Sequence, residues 1–235
     1  MIKQRSRGIY FAPSVMLIDI FKAKQQIEFL NENSHFFHID IKDGNYVKSF
    51  GTTPMFIEQI KSITTVPIDA HLMVTNPWEH LDEIARSGAN YITFHSDTVA
   101  KEAFRTINKI KSLGCNVGVA INPSASLNEI KHYLHLLDKV TVMTVDPGYA
   151  GQPFIMHMLD KIKDLVKIRE ENGFDFLIEA DGSIDEKVYQ ELYEAGIDII
   201  VLGGPALFNK NPNINEAWNI MMNNFESATN KKSIH

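Results

Sequence analysis

Three stretches carry the same pattern: RSGANYITF at 86–94, SLGCNVGVA at 112–120 and EAGIDIIVL at 194–202. Each reads as a helix end, a glycine, a small or apolar residue, an Asn or Asp, and then a strand. Gly88, Gly114 and Gly196 suit the left-handed position just past a helix, where a Cβ is strained. The Asn or Asp that follows turns the chain into the next strand. Helix, tight turn and strand repeated in phase is the pattern of a parallel α/β fold.

Working outward, short β-rich runs alternate with amphipathic ones. Strands are expected at 8–14, 35–41, 67–73, 90–95, 115–121, 139–145, 174–180 and 197–203. Helical stretches are expected to fill the gaps, for example at 54–63, 77–87, 99–113, 126–136, 154–172, 185–195 and 213–226. Strand ends near Ser14 and Gly203 leave seven intervals of roughly 27 residues, which suits the unit of a (β/α)8 TIM barrel. No linker or composition break divides the chain. The reading is therefore one barrel domain over 1–235, with a polar, frayed tail from about Ala228.

Bulk properties narrow the function. The 44% apolar content can fill a core, and the formal charge of −6 argues against nucleic acid or an anionic membrane as partner. The single Cys115 excludes an internal disulfide and any paired-cysteine metal motif, so a cytoplasmic location is expected. Lys3, Arg5 and Arg7 before the apolar run from Ile9 look like the start of a signal peptide. Pro13 and Ser14 interrupt that run and Asp19 closes it, which favours a first barrel strand.

Four segments end in acidic or imidazole groups: HFFHID at 35–40, IDAHLMV at 68–74, TVDPGYAGQPF at 144–154 and FLIEADGS at 176–183. His38 and Asp40 are two apart, so strand alternation puts them on one face. Asp69 and His71 share a face in the same way. Taken singly, each could be a hydrogen-bonded core histidine or a turn aspartate. Together, His38, Asp40, His71 and Asp181 converge on the carboxyl rim, where barrels carry their active sites, and offer two nitrogens and two carboxylates to a divalent metal.

Glycines after the sixth strand (Gly148, Gly151) and the eighth (Gly203, Gly204) let backbone N–H groups approach an anion, so a phosphate site is expected there. Other residues have plainer readings. Met55, Met156, Met158, Met221 and Met222 are taken as packing residues, and Trp78 and Trp218 as anchors for helices. Met73 and Met143 stand near strand ends at the mouth. His95 can face the pocket without an assigned role. Lys139 is taken as part of a solvated face.

The motifs HIDIKDG, HLMV, INPS, MTVDPGYAGQPF and EADGS occur in this order between APSV at 12–15 and GGPALF at 203–208. In this the chain resembles the ribulose-phosphate 3-epimerase family along nearly its whole length. Within that family, DPG in the sixth-strand loop and DGS after the seventh strand are more similar to D-allulose-6-phosphate 3-epimerases. The resemblance implies one divalent ion per chain (zinc, manganese, iron or cobalt) held by His38, Asp40, His71 and Asp181. It also implies that Asp40 and Asp181 exchange the proton at C3 of a ketose phosphate by way of an enediolate that the ion stabilises. Ser14 matches a substrate-contacting serine, and Met73 and Met143 match methionines lining the intermediate. Gly148, Tyr149, Ala150 and Gly151 match a mobile covering loop, and Gly182, Ser183, Gly203 and Gly204 match phosphate contacts.

The expected substrate is thus D-allulose 6-phosphate, giving D-fructose 6-phosphate, with D-ribulose 5-phosphate as the alternative and a non-catalytic sugar-phosphate-binding barrel as a different class. A homo-oligomer is expected. Lys42 stands where the family has methionine, Lys48-Ser49 replaces Pro-Asn, and Pro205 replaces a serine and so lacks an N–H to donate. Asp40-Ile41-Lys42 is also similar to the Asp-x-Lys start of orotidine-phosphate decarboxylase relatives. Asn45 replaces their next aspartate, and HLMV and DGS fit them poorly.

Overall fold

Alternating β-branched and polar residues build eight short strands, because one face of each must meet helices while the other fills a closed lumen. The computed structural model describes residues 8–230. The strands are β1 Tyr10–Pro13, β2 Phe37–Lys42, β3 Ile68–Met73, β4 Tyr91–His95, β5 Asn116–Ile121, β6 Lys139–Met143, β7 Leu177–Asp181 and β8 Ile199–Leu202. They form one sheet in the order β1-β8-β7-β6-β5-β4-β3-β2, and every neighbouring pair is parallel. The barrel closes between β1 and β2 through a Ser14–His38 bridge and hydrogen bonds from His35 and Phe36 N–H to Phe11 O.

Seven helices cover the outside: α1 Ala23–Asn33, α2 Pro54–Lys61, α3 Leu81–Arg86, α4 Ala103–Ser112, α5 Met158–Asn172, α6 Tyr189–Ala195 and α7 Ile214–Thr229. Outward strand residues such as Ile39, Leu72, Phe94, Val119, Val142 and Ile178 bury against them in the main core. A smaller group in the lumen contains Ala12, Ile199 and Val201, packed by Phe36 and Leu177. Gly88, Gly114 and Gly196 have φ of 103°, 80° and 88°, as the repeated phrase requires.

The structure departs from the sequence reading at several elements. The stretch 126–136 holds two 3₁₀ turns, Leu127–Glu129 and Leu134–Leu136, in place of a helix. There Ser126 caps the first turn reciprocally with Glu129. α1 fills the gap between β1 and β2, which was expected to be helical but given no range, and Ile27 and Leu30 are its only fully buried apolar residues. Trp218 is buried beside Phe11 and Phe29, whereas Trp78 is exposed. Met158 and Met221 are packed as expected, but Met55 and Met156 face solvent.

Lys139 needs the largest correction. It begins β6 with its side chain in the lumen, 1% exposed, and not on a solvated face. α7 carries the chain through Thr229 and Asn230 caps it, so the expected tail is helical at its start; residues 231–235 lie outside the described residues, as do Lys3, Arg5 and Arg7. No described helix is long and apolar enough to cross a membrane.

Candidate active site

Register decides which side chains meet. β2 pairs with β3 so that Asp40 stands opposite His71, and β6 pairs with β7 so that Met143 stands opposite Asp181. All four residues point into the lumen near its carboxyl rim. His38 Nε2 lies 3.0 Å from Asp40 Oδ1, 3.2 Å from His71 Nδ1 and 3.5 Å from Asp181 Oδ2. His71 Nδ1 lies 3.1 Å from Asp40 Oδ1 and 3.5 Å from Asp181 Oδ2.

This spacing can be tested against a metal. Nitrogen and oxygen donors held about 2.0–2.2 Å from one ion sit roughly 3.3–3.6 Å apart at the corners of a tetrahedron. The five separations straddle the lower edge of that range, so the donor set fits a transition metal with little adjustment. Two nitrogens and two carboxylate oxygens also suit such an ion better than calcium.

The electrostatics agree. Burial disfavours the charged ring of His38, yet Asp181, Asp40 and Asp69 together raise its pKa well above the usual imidazole range. Burial likewise opposes ionisation of Asp40, and hydrogen bonds from His38 and His71 overcome it, holding the carboxyl well below its usual value. The cluster is built to keep positive charge among its carboxylates. Behind it, His71 Nε2 meets His95 Nε2 at 2.9 Å. Burial, with His71 adjacent, keeps the His95 pKa well below the ordinary range, so this ring is neutral.

The remaining expected residues fall around the same rim. Ser14 is buried at the end of β1 and bridges to His38, while Met73 and Met143 are buried at the ends of β3 and β6. Gly182 and Ser183 follow β7, and Gly203 and Gly204 follow β8, so the candidate phosphate groups sit after two adjacent strands. Gly182 has φ 125°, and a Cβ there would stand 2.6 Å from Val145 Cγ2. Ser183 has φ 48°. Pro205 starts a short π-helical turn, Gly204–Phe208.

Gly148, Tyr149, Ala150 and Gly151 form an exposed or half-exposed loop after β6, stapled by Gln152 Nε2 to the carbonyls of Asp146 and Tyr149. Ser49 Oγ donates to Gly148 O at 2.8 Å, so this departure from the family pattern ties the covering loop to the β2 side. Lys42 lines the mouth with its Nζ 4.0 Å from Asp40 Oδ2. Sequence reading missed the partners of His95. Asn122 donates to Tyr46 Oη at 2.8 Å and to Asp97 Oδ2 at 3.2 Å, forming a polar wall beside the His71–His95 pair.

With the geometry in place, comparison with known proteins identifies the scaffold. The family model described as the ribulose-phosphate 3 epimerase family matches residues 10–208. A ribulose-phosphate 3-epimerase of Synechocystis is 33% identical over 214 residues, covering 90% of this chain and 92% of its own. That of Bacillus subtilis is 34% identical over 83% of this chain and 90% of its own, and that of Escherichia coli is 32% identical over 85% and 88%. Among solved structures, a tryptophan synthase alpha-subunit from Pyrococcus furiosus has a TM-score of 0.68 at 12% identity, covering 96% of this chain and 99% of that one. KGPDC from Streptococcus mutans also reaches 0.68, at 10% identity over 94% and 99%. These two likenesses concern the barrel alone.

Proposed function

The chain belongs to the ribulose-phosphate 3 epimerase family and is an isomerase, and from that premise we propose that it inverts C3 of a phosphorylated ketose with the help of one divalent ion. The observation that carries the reading is the pair Asp40 and Asp181, delivered to one rim by strands separated by β8 and β1, with two histidines between them. Epimerisation needs a base on one face of a planar intermediate and an acid on the other. A bound ion supplies positive charge that stabilises the oxyanion forming beside the carbonyl.

The chain's own residues do the rest. Asp40 turns Oδ1 to the histidines, leaving Oδ2 for the C3 proton. Asp181 turns Oδ2 to the same histidines, leaving its second oxygen for the opposite face. One aspartate begins each turnover ionised and the other protonated, and they exchange roles when the substrate runs the other way. Met73 and Met143 are buried at the rim and present thioethers in place of water to the enediolate. Gly182, Ser183, Gly203 and Gly204 offer backbone N–H groups to the phosphate. His38, Asp40, His71 and Asp181 would hold the ion, with zinc, manganese, iron and cobalt all compatible with the donor set. The lone buried cysteine and a sugar-phosphate substrate suit a cytoplasmic enzyme.

The relatives are named for ribulose phosphate, which makes the pentulose the better-supported substrate. The second reading, D-allulose 6-phosphate, is favoured by Asp146 and Ser183 in the two loop motifs and by Lys42 at the mouth. Comparing kcat/KM for the two phosphates tests the choice. Exchange of the C3 hydrogen with heavy water tests the reaction itself, and its absence with both sugars would leave a binding barrel without turnover.

A further inference from the structure

One layer below the mouth the lumen holds a second charged group that the proton transfer does not use. Lys139 Nζ lies 2.5 Å from Asp69 Oδ2 and 2.5 Å from Glu179 Oε1, with all three side chains at most 2% exposed. Thr93 donates to Asp69 Oδ1 at 2.6 Å, and Thr141 donates to Glu179 Oε1 at 2.8 Å. Thr93 fits because Gly118 stands opposite on β5, where a Cβ would approach its Oγ1 to 2.1 Å.

His38 joins the two layers. Its Nε2 faces Asp40, His71 and Asp181, while Nδ1 points the other way, 3.3 Å from Asp69 Oδ2 and 3.9 Å from Glu179 Oε1. Nδ1 makes no aligned hydrogen bond, and Asp69 Oδ2 is the nearer of the two carboxylate oxygens beside it. A histidine that gives its Nε2 lone pair to an ion carries its proton on Nδ1, and a carboxylate behind that proton fixes the tautomer and the ring angle. His38, Asp69 and Glu179 alone could hold a cation. The ammonium of Lys139 already lies against both carboxylates, so this layer is filled by the chain's own charge.

We propose that Asp69, clamped by Lys139 and Thr93, is a positioning residue for the ligand His38: it accepts the Nδ1 proton and so aims Nε2 at the ion. The proposal rests on the reading of His38, Asp40, His71 and Asp181 as a metal site. Glu179 provides the internal control, because it shares Lys139 equally but lies farther from His38.

The test measures zinc affinity by chelator competition, and the visible spectrum of the cobalt-loaded protein, for the wild type, Asp69→Asn, Glu179→Gln and Thr93→Val. Asp69→Asn is expected to weaken zinc binding roughly 10–100-fold and to shift the cobalt bands. Glu179→Gln removes the same charge beside Lys139 and should leave affinity within about threefold of wild type. Thr93→Val, which releases Asp69 without touching the ion pair, should fall between them, and it decides the matter if Asp69→Asn does not fold. Equal losses in Asp69→Asn and Glu179→Gln would overturn the proposal, as would unchanged affinity in Thr93→Val together with an unfolded or unaffected Asp69→Asn. A wild type that binds no ion would sink the metal reading first, and this proposal with it.

Discussion

The mouth cluster and the layer beneath it are made of similar parts, yet they differ in how their charge is balanced. Below, two carboxylates share one lysine and two threonine hydroxyls, and the group is closed to solvent. Above, Asp40 and Asp181 are 14% and 16% exposed, and two histidines and the distant Lys42 ammonium are the basic groups beside them. A buried set whose two carboxylates share an internal ammonium, with its one excess negative charge facing His38, holds structure, and one left needing a cation and open on one side is available for chemistry.

The sharpest way to break this contrast is to remove charge from each layer in turn. Asp181→Asn and Asp40→Asn should each cut turnover by at least about 10²–10⁴-fold, read from the steady-state rate. One of them can still wash the C3 hydrogen into heavy water without inversion. Near-normal turnover by either variant would assign the chemistry to another pair. Lys139→Met should act in the opposite sense: it strands Asp69 and Glu179 as buried, unpaired charges and should cost about 3–5 kcal/mol in chemical denaturation. His71→Ala should strip the ion, seen by elemental analysis, and unchanged metal content would remove His71 from the site.

Smaller effects sharpen the picture at the edge of the mouth. Lys42→Met replaces a cation 4.0 Å from Asp40 with the thioether usual in the family. It should change the ratio of kcat/KM for the hexulose and pentulose phosphates by about 1–3 kcal/mol, in favour of the pentulose. An unchanged ratio would place the choice of sugar elsewhere.

Asp43 supplies a pH test. Burial opposes its ionisation, but N–H groups of Thr75, Tyr46 and Asn45 together outweigh it and lower its pKa from 3.8 to about 2, so it ties the β2 loop to the β3 loop as a carboxylate. Its contribution to stability is therefore complete above pH 3.8 and is lost as pH falls through about 2. Asp43→Asn should lower the unfolding midpoint at neutral pH, and the gap from wild type should close across that window. A gap that persists at the acid end would mean that geometry rather than charge holds the loop.

Much of this was legible because strand alternation is rigid. His38, Asp40, His71 and Asp181 could be placed on one rim from their parity and from the turn residues after each strand. The same arithmetic extends to Lys139, Thr141 and Met143 on β6 and to Glu179 two residues before Asp181, all facing inward. Lys139 was misread because a lone lysine at a strand start is usually solvated, and its two acidic partners are 70 and 40 residues away in sequence. The bounds of α1 were illegible for a different reason. AKQQIEFLNEN fully buries just two apolar side chains, and Gln26, 7% exposed, is spent on the backbone N–H of Asp19. The stretch 126–136 shows the reverse error, where apolar spacing suited a helix but the capped 3₁₀ turn at Ser126 and a second turn satisfied the same burial in less length.

The closure of the barrel also sets a timetable for synthesis. His38, Asp40 and His71 are translated early, while Asp181 follows His71 by about 110 residues, a delay of roughly 5–20 s on the ribosome. β8, which must pair with β1 to shut the barrel, comes later still. A nascent chain thus carries three of the four donors on an open sheet edge, with no walls to exclude water and no second aspartate. Pairing β1 with β8 joins segments from near opposite ends of the chain, a non-local contact of the kind that is slow to make. The four donors meet only when the barrel closes, so refolding of the full chain is expected to proceed at the same rate with and without zinc, which stopped-flow refolding checks.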